Sequence, residues 1–212
     1  MLIKRALVLA SASPRRREVL SGLGLSFEVI PSTIDEQISR PLPPGEMVEQ
    51  LALRKAEDVA RSCKYSLVIG ADTVVVLDGK VLGKPADRRE AYAMLERLQG
   101  RTHQVYSGLA LVETDRDGQI SRRSVRHRIT RVHMRPMSPD EIEWYIYTNE
   151  PMDKAGSYGI QGLGSFWVTG IDGCYTNVVG LSVPLLYEMV RDMGYSLIDF
   201  TKFGPSDGRT RR

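Results

Sequence analysis

Near its N-terminus the chain reads Ser11-Ala12-Ser13-Pro14-Arg15-Arg16-Arg17, directly after the apolar run at residues 6–10. A strand that passes through small residues into a helix aims backbone N–H groups, and the positive end of the helix, at the space above the turn. The hydroxyls of Ser11 and Ser13 and the guanidinium groups of Arg15 and Arg16 add donors suited to phosphate oxygens. Helix capping accounts equally well for Ser13 at the N-cap and Pro14 at the first helical position. It does not account for arginines in a first turn, where the helix dipole disfavours cations; a bound anion would resolve that conflict.

Gly70-Ala71-Asp72-Thr73 sets a carboxylate where an apolar strand is expected to end, the usual station of catalytic groups in α/β proteins. Asp72 there suits a divalent metal ligand or a base toward water, and equally a plain turn aspartate. Asp35-Glu36 offers a second source of hard oxygen ligands, or a solvated loop. Lys55 stands on a mostly apolar helical stretch and Lys84 in Gly83-Lys84-Pro85. The latter is no P-loop, because Gly79 is one residue too near and Pro85 stands where Ser or Thr is needed. Either lysine alone also fits a surface residue with a buried stem. The segment from Asp153-Lys154 through Gln161-Gly162 is crowded with glycine (Gly156, Gly159, Gly162, then Gly164), which suits a loop that approaches a ligand closely. Gln161 carries the amide donor and acceptor that read a base edge, and Tyr158 can stack or donate. His103, His127 and His133 have no metal-ligand spacing, and no Ser-His-Asp or Cys-His order is present.

The elements that must position these residues alternate between strand and helix. Residues 6–10 and 27–30 read as strands around a helix that ends at the Gly22/Gly24 pair. A proline-rich loop precedes a helix at residues 46–62. Strands follow at residues 67–70 and 73–77, then a hairpin through Asp78-Gly79, a helix at 87–98, and a long hairpin of strands at 105–112 and 120–134. Ser138-Pro139-Asp140-Glu141 is a capping box that opens a helix. A strand at 165–171 and a helix at 184–193 complete the series. Helix-linked units mixed with hairpins predict a mixed rather than a purely parallel sheet.

Composition sets the outer bounds. The chain has 212 residues, 42% hydrophobic and 26% charged, as in an ordinary globular protein. No apolar run reaches the length of a membrane span, and the N-terminal apolar segment is too short for a signal peptide. Cys63 and Cys174 lie far apart without metal-type spacing, which points to a reducing cytoplasm. A net charge of +3 is too small to argue for nucleic acid. The arginines between Arg122 and Arg135 form a basic stripe, but without interleaved aromatics it reads as a solvated strand face.

Taken in order, these segments resemble one family. Leu9-Ala10-Ser11-Ala12-Ser13-Pro14-Arg15-Arg16, Gly70-Ala71-Asp72-Thr73, Gly83-Lys84-Pro85, His103-Gln104-Val105, Asp153 through Gly162 and Asn177-Val178-Val179-Gly180-Leu181 follow the pattern of the Maf proteins, named for septum formation inhibition. That family is similar to nucleotide pyrophosphatases of the inosine triphosphatase fold. The resemblance implies an α/β fold with a mixed twisted sheet, flanking helices and two lobes around a central cleft, spanning residues 1–203, with residues 204–212 a disordered tail. It implies hydrolysis of a nucleoside triphosphate to monophosphate and pyrophosphate, with Mg²⁺ or Mn²⁺ near Glu36 and Asp72. Asp72 corresponds to the family's proton acceptor. Arg16, Thr73 and Gln161 match the branch that acts on dTTP and UTP. Ser11, Arg15, Lys55 and Lys84 complete the expected substrate contacts. The expected partners are a pyrimidine nucleoside triphosphate and, at most, a second copy of the chain in a homodimer, with no nucleic acid and no membrane. House-cleaning of modified nucleotides and a link to division arrest also follow from the resemblance; a non-catalytic, nucleotide-responsive regulator of septum formation is the alternative. One departure is Leu181-Ser182-Val183-Pro184, where many members place proline directly after the Val-Gly-Leu segment.

Overall fold

The run Ser66–Leu77 is buried at every position except Thr73, which is half-buried, and forms one continuous strand, β3. In the computed structural model, which describes residues 5–38 and 40–202, β3 is the axis of a seven-stranded sheet. The other strands are β1 (Ala6–Leu9), β2 (Glu28–Val29), β4 (Lys80–Leu82), β5 (Thr102–Thr114), β6 (Ile120–Met134) and β7 (Val168–Asp172), in the order β2-β1-β3-β5-β6-β7. β1 pairs parallel with both β2 and β3, and every other pairing is antiparallel, so the sheet is mixed as expected. The two strands anticipated at 67–70 and 73–77 are one. Asp72 therefore lies inside a strand, not at its end, because β5 pairs with β3 without interruption from Leu67 to Val76.

The opposite edge of β3 is divided. β1 pairs with Ser66–Ile69 and β4 with the stretch from Val75 to Leu77. Residues 70–74 have no strand on that edge among the described residues. Asp78 and Gly79, with φ of 51° and 74°, make the tight turn that returns the chain as β4.

Helices cover both faces. α2 (Pro44–Ala60) packs on the face presented by Val68, Ala110 and Val112. On the other face α6 (Val183–Asp192) joins Leu67, Ile69 and Ala71 in one core, with Leu20 of α1 (Pro14–Gly22). Farther along the same face a second core surrounds Val75, Leu77 and Val105 with α3 (Arg88–Leu98) and α4 (Pro139–Tyr147). The sheet runs through both cores, which stand where two lobes are expected. The capping box at Ser138 and Glu141 is formed in both directions, and Asp87 caps α3.

Three local readings are corrected. The segment at 162–167 is a 3-10 turn, so β7 begins only at Val168; a further short helix, α5 (Tyr175–Val179), follows it. Ser13 occupies the N-cap of α1, but its hydroxyl makes no capping bond. The basic stripe on β6 is not simply solvated. Its odd positions Arg123 and His127 meet Glu57 and Glu49 of α2, while Arg126 and Arg128 meet Asp192 and Glu188 of α6. The two-residue period of a strand thus sends alternate cations to the helices on opposite faces. Cys63 and Cys174 are both free thiols. No helix among the described residues is long and apolar enough to cross a membrane. The tail expected at 204–212 lies outside the described residues.

Candidate active site

A break in one edge of a sheet lets side chains from both of its faces line a single opening, and the break beside residues 70–74 is where the sequence-predicted residues gather. A cleft of about 610 Å³ opens there, lined by Ser11, Arg15, Arg16, Glu36, Lys55, Asp72, Thr73, Lys84 and Gln161, the nine residues that the resemblance assigns to the site; Asp35 is not among its lining. It also takes in Asp153, Lys154, Tyr158 and Gly180.

Asp72 and Thr73 are neighbours in a strand and so point to opposite faces. Asp72 faces α2, where Lys55 is set above it. Two glycines permit that approach: a Cβ at Gly70 would collide with the Ala52 carbonyl oxygen, and one at Gly108 with that of Val48. Lys55 Nζ is 2.7 Å from Asp72 Oδ1 and 2.8 Å from Glu36 Oε1. Lys55 and Asp72 are 8% and 7% exposed, so this ion pair is held in a low-dielectric setting while Glu36 remains open to solvent. Partial burial alone would raise the Glu36 carboxyl, but the Lys55 hydrogen bond and charge, with Lys84 and Arg16 behind them, hold it below the usual range. Glu36 and Asp72 bring hard carboxylate oxygens, the donor type that a divalent cation takes, to one side of the cleft, where Lys55 Nζ stands between them. Among the described residues no group of three His, Cys, Asp or Glu side chains stands ready to hold a metal ion.

Thr73 faces the other way, toward Arg16. The Arg16 guanidinium donates through Nε to the Gly180 carbonyl (2.8 Å), through one terminal nitrogen to Ser11 Oγ (3.1 Å) and through the other to Thr73 Oγ1 (3.2 Å). The conflict noted for arginines in a first helical turn is met here by acceptors of the protein itself. Gly180 is the C-cap of α5, so its carbonyl belongs to the negative end of that helix. Burial lowers the Arg16 guanidinium from its ordinary value, with Asp72 opposing and Arg15 adding to that effect. Ser11 in turn accepts from the Ser13 N–H at 3.2 Å, which tightens the turn into α1.

Arg15 reaches across the mouth of the cleft. It donates to Asp153 Oδ2 at 2.7 Å and to the Asp153 carbonyl at 3.3 Å, while Lys154 Nζ takes Asp153 Oδ1 at 2.7 Å. The glycine-rich segment that carries these residues is tied down rather than loose. The Glu150 carboxylate accepts from Tyr145 Oη (2.8 Å) and from the N–H groups of Leu163 and Gly164 (both 3.0 Å). Gly156 and Ser157 take left-handed conformations (φ 69° and 60°), and the Gly156 N–H donates to the Gly83 carbonyl at 2.9 Å, joining this loop to the one that bears Lys84. Tyr158 Oη pairs with His103 Nε2 at 2.7 Å in the second core. Gln161, half-buried at the end of this segment, has no side-chain partner among the described residues.

Sequence reading quoted Asp153, Lys154 and Gly180 without giving them a place in the site, and passed over Ser107, whose Oγ lies 2.5 Å from Thr73 Oγ1. A Ser within an apolar strand gives no signal of its own; only the register that sets Ser107 opposite Thr73 reveals it.

Comparison with known proteins gives the family of the chain. The family model described as Maf-like protein matches residues 6–193. A dTTP/UTP pyrophosphatase of Moorella thermoacetica is 52% identical over 188 residues, covering 89% of this chain and 95% of the relative. Those of Gloeobacter violaceus and Desulforamulus reducens are 50% and 47% identical, covering 88% and 92% of this chain and 95% and 100% of theirs. A solved nucleoside-triphosphatase / dITP/XTP pyrophosphatase from Mycobacterium abscessus superposes at a TM-score of 0.39 with 15% identity, over 89% of this chain and 97% of that one. With a family model matched along nearly its whole described length and relatives near half identity, the chain belongs to the family of Maf-like proteins.

Proposed function

We propose that this cleft hydrolyses dTTP and UTP to the monophosphate and pyrophosphate. One observation carries the reading: five cations (Arg15, Arg16, Lys55, Lys84, Lys154) and three carboxylates (Glu36, Asp72, Asp153) line one opening beside a break in the sheet. The excess of positive charge suits a polyanion. Relatives near half identity named dTTP/UTP pyrophosphatase support the substrate class.

The triphosphate lies along Ser11, Arg15, Lys55 and Lys84, with the base toward Gln161. Glu36 and Asp72 would hold a divalent cation, Mg²⁺ or Mn²⁺, whose charge would offset that of the phosphates. Lys55 fixes Asp72 through Oδ1, and the carboxylate so held orients a water at the α-phosphorus. That water's oxygen bonds to the α-phosphorus as the bond to the bridging oxygen of the β-phosphate breaks. The water's proton passes to Asp72, and pyrophosphate leaves with its charge met by Arg15 and Lys84. Positioning and electrostatics supply most of the rate. Arg16, Thr73 and Gln161 bear on substrate choice, since a site that hydrogen-bonds its base leaves buried groups unpaired with the wrong one. House-cleaning of modified pyrimidine nucleotides, with a link to division arrest, is the physiological role that this chemistry would serve.

A panel of nucleoside triphosphates with Mg²⁺, scored for pyrophosphate, tests the reading. The expected result is pyrophosphate from dTTP and UTP and loss of turnover in Asp72→Asn. Orthophosphate as product would overturn the site of attack. Tight nucleotide binding without any turnover would instead make the chain a nucleotide-responsive binding protein.

A further inference from the structure

Thr73 Oγ1 has three polar neighbours: Arg16, Ser107 Oγ at 2.5 Å, and the Gly180 carbonyl at 3.3 Å. Arg16 has only donors and the Gly180 carbonyl only accepts, while either hydroxyl can donate across the short Thr73–Ser107 contact. When Thr73 donates to the carbonyl, its lone pairs take Arg16 and Ser107. Ser107 is 2% exposed and stands directly across the β3–β5 ladder from Thr73. The result is one hydrogen-bonded cluster of Ser107, Thr73 and Gly180, with Arg16 clamped across Thr73, Gly180 and Ser11.

We infer that Ser107 is a positioning residue for substrate choice, acting on the nucleotide only through Thr73 and Arg16. The inference rests on the reading of the cleft as a nucleotide site. Three donor nitrogens of Arg16 are engaged by the protein, so Arg16 and Thr73 act on the substrate as a fixed wall between the phosphate loop and α5. The strand pairing alone fixes the Thr73 backbone but leaves its side chain several staggered rotamers. The Ser107 hydroxyl selects the one that faces Arg16. Without that contact Thr73 is held only by its two longer bonds, to Arg16 and the Gly180 carbonyl, so its rotamer is less fixed and the wall softens.

The test uses the full chain with α,β-imido-dUTP and α,β-imido-dGTP, analogues that are not cleaved at the α-phosphorus. The readout is the ratio of their Kd values, beside kcat and KM for dTTP and a melting curve. Ser107→Ala should shrink the pyrimidine preference about fivefold and raise KM, with kcat within about twofold, as expected for one buried hydrogen bond. Thr73→Val should shrink the preference at least as much, and Thr73→Ser, which keeps the hydroxyl, should retain it. The double variant Ser107→Ala/Thr73→Val should be no worse than Thr73→Val alone, because Ser107 acts only through Thr73. If Ser107→Ala does not fold, Ser107→Cys, with a weaker donor, reads the same loss. A folded Ser107 variant with the wild-type ratio, or strictly additive effects in the double variant, overturns the inference. Wild-type protein that prefers the pyrimidine analogue yet releases no pyrophosphate sinks the proposed reaction, while the Kd ratio still judges Ser107. Wild-type protein that binds neither analogue sinks both.

Discussion

At the scale of single residues, Lys55 is the side chain on which the site turns. It holds Asp72 and Glu36 at hydrogen-bond distance on one nitrogen. Without it, two carboxylates face one another beside a cleft meant for phosphate. Lys55→Met keeps the stem and removes the charge; kcat/KM for dTTP should fall by about a hundredfold or more, the usual result of deleting one preorganised electrostatic group. Steady-state kinetics checks this, and a loss under threefold would remove Lys55 from the catalytic set. His103 makes a different kind of contribution. Burial, with a smaller push from His133, drives its pKa from 6.5 down to about 4. In the unfolded chain it titrates at the ordinary value, so between those two values the unfolded state binds more protons. The stability contributed by a neutral, buried His103 is complete above pH 6.5 and is lost as the pH falls toward 4. The shift corresponds to about 3 kcal/mol. Denaturant unfolding at pH 7 and pH 4 should therefore show the stability gap between wild type and His103→Asn closing by an amount of that order. A gap that is constant with pH would mean that folding does not shift the His103 pKa.

At the scale of elements, the break in the β3 edge does what a strand end does in a parallel sheet: it frees side chains from the ladder. The residues of the site were legible because each carries its own chemistry in its type and spacing: hydroxyls before a proline-started helix, a carboxylate after glycine, lysines in apolar stretches. The break was not legible. Whether β3 stops at Gly70 or continues depends on β5, thirty-odd residues away, and local propensity cannot see a partner strand. The same holds for α5, too short to show a helical period, and for the stripe on β6, whose counter-ions lie on α2 and α6. Gly70 reads in sequence as the end of a strand, whereas its work is to admit α2. Gly70→Ala should push the helix away, costing about 1–3 kcal/mol as overpacking does, and lift Lys55 from Asp72. The expected outcome is a lowered Tm together with a fall in kcat, measured on the same preparation. A fall in Tm with unchanged kcat would show that Lys55 reaches Asp72 without the close approach.

At the scale of the whole molecule, the two cores on one face of the sheet flank the cleft, and few polar links among the described residues cross its mouth. Arg15 of α1 meets Asp153 of the glycine-rich segment there, with the Asp153 carboxylate shared by Lys154. Asp153 is well exposed, so the link adds little to stability. Its effect is on charge: one carboxylate holds two of the five cations that line the cleft. An incoming phosphate must compete with it for both. Asp153→Asn keeps the shape and removes the competitor, leaving five cations against two carboxylates. Inorganic pyrophosphate should then bind several-fold more tightly at low ionic strength, about the effect of one unit charge a few ångströms away in a partly wet cleft. The advantage should fade as salt approaches 1 M, where the screening length falls to about 3 Å. Calorimetric titration at low and high salt decides it. Equal affinity at low salt would mean that Arg15 and Lys154 stay engaged with the backbone carbonyls that now flank them, at Asp153 and Glu150, and that the carboxylate is a passenger.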